Sequence, residues 1–272
     1  MRIYYMSDIH LEFYPVSNNP KIVFPVSDYI KINFPEDAQT STLALCGDIG
    51  MVDSPKRREQ YQKFISRLAD EFKHVIVIRG NHESYSYSFD KTPNKIRELI
   101  NDTGIWYNSN IHFLDNEFLE LEGKLIYGSP FFTDFSGDYL TEWNVSKSYN
   151  DFKRVRNNQH KRKLSTQDYI DFYKASVEHC KTRYPDIVLS HYLPSLSLLE
   201  YSTGTLDGGM GGEALRDVTS DGNNPPSVWI YGHDHSRKET MLGNTLCVSN
   251  CWGYYGNEHF KKEMTFDKFV DV

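Results

Sequence analysis

The chain is poor in cysteine, has no long apolar run, carries no excess of positive charge and shows no internal repeat. Each absence removes a class of protein. The 272 residues include four cysteines, Cys46, Cys180, Cys247 and Cys251. Their spacing fits neither a zinc pattern nor a disulfide framework, so free thiols in a reducing cytoplasm are expected. Cys46 lies inside an apolar run and reads as core. No stretch approaches the ~18 consecutive apolar residues of a membrane span, and no membrane partner is expected. Met1 leads directly into Arg2-Ile3-Tyr4-Tyr5-Met6, a strand-like run with no charged start or small-residue cleavage site before it. No secretory leader is therefore expected, and a cytoplasmic location follows. The formal net charge of −7 offers no broad grip on nucleic acid, although a local basic patch is compatible with it. No low-complexity run or linker divides the chain, and residues 1–272 are expected to form one domain.

What the chain does have is a series of apolar, β-branched runs that each end in polar residues able to hold a metal. Val75-Ile76-Val77-Ile78-Arg79 reads as a buried parallel strand and stops at Gly80-Asn81-His82-Glu83. Ligands of open α/β sheets gather at such strand ends. The first run ends in Ser7-Asp8-Ile9-His10, and the run 41–46 in Gly47-Asp48-Ile49-Gly50. The run 187–190 ends in His191, and the run 227–231 in Gly232-His233-Asp234-His235. The spacing of Tyr61, Phe64, Ile65, Leu68, Ala69 and Phe72 predicts an amphipathic helix over 56–72, with Pro55 at its start. Helices are also expected over 93–102, from the cap Ser165 to about Thr182, and near 213–218. Short strands are expected over 111–114, 118–121 and 124–127, and a closing hairpin turns at Gly243-Asn244. Two long loop insertions remain. One covers about 11–40, with strand-like pieces over 21–26 and 29–34; the other, 129–164, is aromatic, polar and partly basic. The class is α/β.

The strand-end residues Asp8, His10, Asp48, Asn81, His82, His191, His233 and His235 combine carboxylate, amide oxygen and imidazole without thiolate. That mixture suits borderline-hard divalent ions such as manganese, iron or zinc. The ligands are too many for one tetrahedral ion, and shared between two ions they leave room for water. The Asp-x-His and His-x-His spacings let side chains two apart face one way. Two dications against Asp8 and Asp48 leave a net positive crevice, and a phosphate ester is its natural guest. Two ions ~3.5–4 Å apart polarise the ester and convert a bridging water to hydroxide at neutral pH.

In these blocks the sequence resembles the calcineurin-like metallophosphoesterase superfamily. The blocks run in order through Asp8-Ile9-His10, Gly47-Asp48, Gly80-Asn81-His82-Glu83, His191 and Gly232-His233-Asp234-His235. Thr133-Asp134-Phe135, Asn150-Asp151-Phe152 and His191-Tyr192-Leu193-Pro194 resemble a bacterial and phage branch. The resemblance implies a four-layer α/β/β/α sandwich. It implies that Asp8, His10 and His235 hold one metal, that Asn81, His191 and His233 hold a second, and that Asp48 bridges both. Manganese is the first expectation, with iron, zinc, nickel or magnesium as alternatives. His82 is then no ligand; it faces the leaving group as proton donor or electrostatic stabiliser. The implied activity is hydrolysis of a small phosphoester, phosphatase or phosphodiesterase, with the bridging hydroxide attacking phosphorus in line. Asn81, Arg154 and Arg156 are expected to meet the substrate.

One departure narrows the class. The Ser/Thr phosphatases of this superfamily continue the second block as Gly-Asp-x-x-Asp-Arg-Gly, whereas Asp48 is followed here by Ile49-Gly50-Met51-Val52-Asp53. The missing aspartate would orient His82 and the missing arginine would hold phosphate. Phosphodiesters and small phosphomonoesters therefore gain weight over phosphoproteins. A nuclease acting on DNA or RNA is an alternative, and it would use a basic, aromatic-lined groove. Lys153, Arg154, Arg156, Lys161, Arg162 and Lys163 form the basic cluster, near Trp143, Tyr149 and Phe152; a solvated helix face is its plainer account. A relative that has lost catalysis and serves as a scaffold is the third reading, and the full ligand set argues against it.

Overall fold

Alternation along the apolar runs decides the architecture. The computed structural model describes residues 1–14, 31–101, 109–202, 204–222, 224–254 and 263–272. In chain order the strands are β1 (Arg2–Met6), β2 (Lys31–Asn33), β3 (Thr42–Cys46), β4 (His74–Ile78), β5 (Ile111–Leu114), β6 (Glu117–Leu121), β7 (Lys124–Gly128), β8 (Arg156–Asn157), β9 (Arg162–Lys163), β10 (Ile187–Leu189), β11 (Val228–Tyr231), β12 (Arg237–Leu242), β13 (Thr245–Asn250), β14 (Glu263–Thr265) and β15 (Phe269–Asp271). The helices are α1 (Pro55–Ala69), α2 (Thr92–Ile100), α3 (Tyr139–Ser148), α4 (Asp151–Arg154), α5 (Thr166–Lys181) and α6 (Ala214–Val218). Two main sheets form, in the orders β15-β1-β3-β4-β5 and β12-β13-β11-β10-β7-β6. The strands that carry the polar stops are parallel within each sheet, and β15, β12 and β6 join antiparallel.

Side chains alternate between the two faces of each strand. On the first sheet Tyr4, Met6, Leu43, Leu45, Val75 and Val77 meet Phe64, Ile65 and Leu68 of α1 and Ile96 and Ile100 of α2. Their sequence neighbours Ile3, Tyr5, Ala44, Cys46, Ile76 and Ile78 face Ile126, Ile187, Leu189, Val228, Ile230 and Val248 of the second sheet. On the far side of that sheet, Val188, Trp229, Tyr231 and Cys247 pack on Tyr173 and Val177 of α5 and on Ala214 and Val218 of α6. Four layers result, α/β/β/α, as the resemblance implies. Strands buried on both faces are why these runs are continuously apolar.

Local signals place most helices. Pro55 stands in the first turn of α1. A capping box between Ser165 and Asp168 starts α5. The stretch 129–164 differs from the loop expected there: it holds α3, α4 and the β8–β9 hairpin. Helix α3 has no apolar stripe to betray it, since Tyr139, Leu140 and Trp143 are exposed. It is begun instead by the Asp138 side chain, which accepts from the N–H groups of Leu140 and Thr141. The basic cluster is therefore spread over α4 and a hairpin rather than along one helix face. In the 11–40 stretch, β2 falls within the expected 29–34 piece, whereas 21–26 lies outside the described residues. All four cysteines are free and buried. No helix among the described residues is long and apolar enough to cross a membrane.

Candidate metal centre

The C-terminal ends of β1, β3, β4, β10 and β11 meet, and after β1, β3 and β11 the backbone bends sharply. Asp8 (φ 56°), His10 (52°), Asp48 (54°), His233 (76°) and His235 (56°) all hold the left-handed conformation. Each such non-glycine residue costs about 1–2 kcal/mol, and such strain concentrates at functional sites. Two glycines make room. A Cβ on Gly80 would stand 2.1 Å from Asp48 Oδ1, and one on Gly47, at φ +83°, would stand 2.7 Å from both the Gly80 nitrogen and His191 Nδ1. Glu83 ties the loops together by accepting from the backbone N–H groups of Asp48 (3.2 Å), Ile49 (2.8 Å) and Gly80 (2.7 Å).

Three groups of donors gather here, two of them around Asp48 and a third made of His10, Glu12 and His82. In the first, Asp8, His10 and His235 present one ligand atom each within 4.8 Å of one another; in the second, Asp48, His191 and His233 do the same. His10 Nε2 is 3.1 Å from His235 Nε2 and 3.9 Å from Asp48 Oδ2. His191 Nδ1 contacts the Cys46 carbonyl oxygen at 2.8 Å, which leaves Nε2 facing Asp48 Oδ1 at 3.4 Å and Asn81 Oδ1 at 3.1 Å. The two oxygens of Asp48 thus look toward different groups. Asn81 is turned by Asp151, whose Oδ1 accepts from Asn81 Nδ2 at 2.9 Å. Tyr85, Tyr169 and Tyr192 also donate to Asp151. Tyr85 stacks on His82 at 4.1 Å between centroids, and Tyr192 on His233 at 4.0 Å.

The donor chemistry suits a cation. The charged partners of Asp8, Asp48 and Glu12 among the described residues are imidazoles. Asp8 Oδ1 and His233 Nε2 are buried with no hydrogen-bond partner among the described residues. Burial would push His191 down, but the Asp48 carboxylate outweighs it and holds the imidazole at about 10. His233 goes the other way, to about 3, through burial and the charge of His191, so its ring is neutral. Burial would likewise lower His82, yet Asp48 and a hydrogen bond to Glu12 hold it at about 9. Glu12 would be raised by burial, but hydrogen bonds from His10 and His82 hold it at about 2.

Every strand-end residue named from the sequence reaches this crevice. Arg154 stands beside it, with its guanidinium carbon 4.9 Å from the centre of the Tyr85 ring. Arg156 is exposed and joins the same rim through backbone bonds with Tyr87 and Phe89. Glu12 and Asp151 were not read as site residues from the sequence. They correct the charge count. Glu12, Glu83 and Asp151 add three buried carboxylates to Asp8 and Asp48, so the expected net positive crevice does not follow from counting charge. The mouth is aromatic: Tyr254 lies 4.4 Å from His10 and 4.5 Å from His235, and Phe13, 47% exposed, meets Tyr254 edge-on at 5.1 Å.

The chain is similar to known proteins over most of its length. An uncharacterised protein of Acanthamoeba polyphaga mimivirus, L509, is 26% identical over 286 residues, which cover 98% of this chain and 95% of that one. The crystal structure of a phosphopantetheinyl hydrolase from Mycobacterium tuberculosis superposes with a TM-score of 0.67 at 13% identity, covering 93% of this chain and 89% of that one. At that identity the likeness is one of fold. The profile of the calcineurin-like phosphoesterase family matches residues 1–237. Matched over most of its length, the chain belongs to the calcineurin-like phosphoesterase family.

Proposed function

We propose that this protein is a dinuclear metal-dependent hydrolase of small phosphomonoesters or phosphodiesters. The observation that carries the reading is the pair of ligand groups, Asp8–His10–His235 and Asp48–His191–His233, side by side in one crevice. Asp8, His10 and His235 would hold one ion, Asn81, His191 and His233 would hold the other, and Asp48 would serve both. When bound, the ions supply Lewis-acid polarisation of the ester and an activated water at neutral pH. The carboxylate, amide and imidazole donors favour manganese, iron or zinc. The chain's own residues orient and protonate. His191 is fixed by the Cys46 carbonyl, and Asn81 by Asp151. His82 hands a proton to the departing oxygen. Arg154, one ring away from His82, meets the outer phosphate oxygens, with Arg156 as the second candidate on that rim. Phe13 and Tyr254 receive the apolar part of the leaving group. A nuclease reading would lean on the cluster of α4 and β8–β9, where Arg162 is already committed to both oxygens of Asp168.

Two tests follow. The purified protein with manganese is expected to hydrolyse at least one of an aryl phosphomonoester, an aryl phosphodiester, a cyclic nucleotide and single-stranded DNA, and a chelator should abolish the activity. No turnover of any of them at saturating metal would sink the hydrolase reading. Substitution Asp151→Asn is expected to weaken metal affinity or activity by roughly 10–100-fold, the usual cost of losing a group that orients a ligand. Asparagine keeps only one acceptor oxygen, so either Asn81 and Tyr85 or Tyr169 and Tyr192 meet an N–H₂ instead of an oxygen, and the hold on Asn81 loosens. Calorimetric titration with manganese measures the change.

A further inference from the structure

We propose that Glu12 is the positioning residue for His82, holding its imidazole so that Nε2 is the nitrogen presented to the ester. The inference rests on the role given to His82 above. Glu12 lies in the turn after β1, and its side chain is only 3% exposed. Its Oε1 accepts from His82 Nδ1 at 2.7 Å and lies 3.2 Å from His10 Nδ1. Its Oε2 is buried with no partner among the described residues. A buried carboxylate is costly unless it is paired, and its pairing here is with two imidazoles. Both rings meet it through the same atom, so both turn Nε2 inward. His82 Nε2 is 4.0 Å from Asp48 Oδ2, and His10 Nε2 is 3.9 Å from that oxygen. The two ring nitrogens of a histidine are distinct, and the hydrogen bond made by one decides what the other can do.

The step this serves balances simply. The bond from phosphorus to the leaving oxygen breaks, and its electron pair stays on that oxygen. The proton on His82 Nε2 moves to it. The proton on Nδ1 stays hydrogen-bonded to Glu12, which leaves a neutral imidazole correctly oriented for the next turnover. Without Glu12 the ring can rotate, and neither nitrogen is assigned to the ester. Tyr85, stacked on the ring, restricts its tilt but offers no such distinction between the nitrogens.

The test uses Glu12→Ala and Glu12→Gln, each alone and combined with His82→Ala, in the full chain. Glu12→Ala is expected to lower kcat by roughly 10–100-fold on an alkyl phosphoester, measured at saturating metal because Glu12 also contacts His10. Glu12→Gln, whose amide oxygen still accepts from Nδ1, should recover part of that loss. In the His82→Ala background, Glu12→Ala should cost little more, because residues acting as a unit are not additive. Nitrogen-15 spectra of the histidine rings, recorded with and without zinc, give a readout independent of turnover. The wild-type should show a protected proton on His82 Nδ1 that Glu12→Ala loses. Additive losses in the double variant at saturating metal, or an unchanged His82 ring signal, would each overturn the proposal. If the wild-type cleaves no phosphoester, the hydrolase reading fails by itself and the ring spectra still decide whether Glu12 orients His82.

Discussion

Substitution Asp48→Asn is expected to lower kcat on any phosphoester substrate by about 10³-fold or more, because two dications together contribute several kcal/mol of charge stabilisation. The geometry concentrates this effect in one carboxylate. Asp48 Oδ1 faces His191 at 3.4 Å and also accepts from the backbone N–H of His82 at 2.8 Å. Asp48 Oδ2 faces His10 at 3.9 Å and His82 Nε2 at 4.0 Å. Asparagine keeps the shape, loses the charge, and must turn an amide N–H₂ toward one of the two ligand groups. Both groups therefore weaken together. Metal analysis and steady-state kinetics on the variant check this; full activity, or loss of one ion with the other unchanged, would contradict a shared ligand.

His82→Ala should behave differently. The groups Asp8–His10–His235 and Asp48–His191–His233 are complete without it, and His82 enters only the third group, with His10 and Glu12, so on the role proposed for it metal content should stay at the wild-type level. General acid help is worth about 10²–10⁴-fold, and kcat on an alkyl phosphoester should fall by that amount. A nitrophenyl ester should lose less, because nitrophenolate departs without a proton. Parallel kinetics on the two esters are the check. Equal slowing of both, or release of metal, would place His82 among the ligands instead.

The strands and their polar stops were legible in the sequence because both signals are local. An apolar run followed by Gly-Asp or Gly-Asn marks a buried strand and its end within a few residues, and Asp48 and Asn81 sit at such ends. The four layers followed from the family resemblance, and alternation such as Ala44 inward to the second sheet and Leu45 outward to α1 explains them. What was missed depends on partners distant in sequence. Glu12 meets His82, and Asp151 meets Asn81, each across 70 residues. In sequence Glu12 looks like an ordinary surface acid, and Asp151 lies in the Asn150-Asp151-Phe152 block, which by itself gives the residue no role. Glu12 carried one available signal, its place two residues after His10 in the same block. Helix α3 was hidden because capping by Asp138 starts it, with no apolar stripe. Strands β14 and β15 span three residues each and exist by pairing with β2 and β1. The charge of the crevice was misjudged for the same reason as Glu12 and Asp151, since burial of a carboxylate is a tertiary property.

The central claim is that two metal ions share this crevice through Asp48. Elemental analysis of the wild-type chain, saturated with manganese and then freed of loosely held ion, tests it most directly. Two ions per chain are predicted. A value that stays at one under saturating metal would contradict the account.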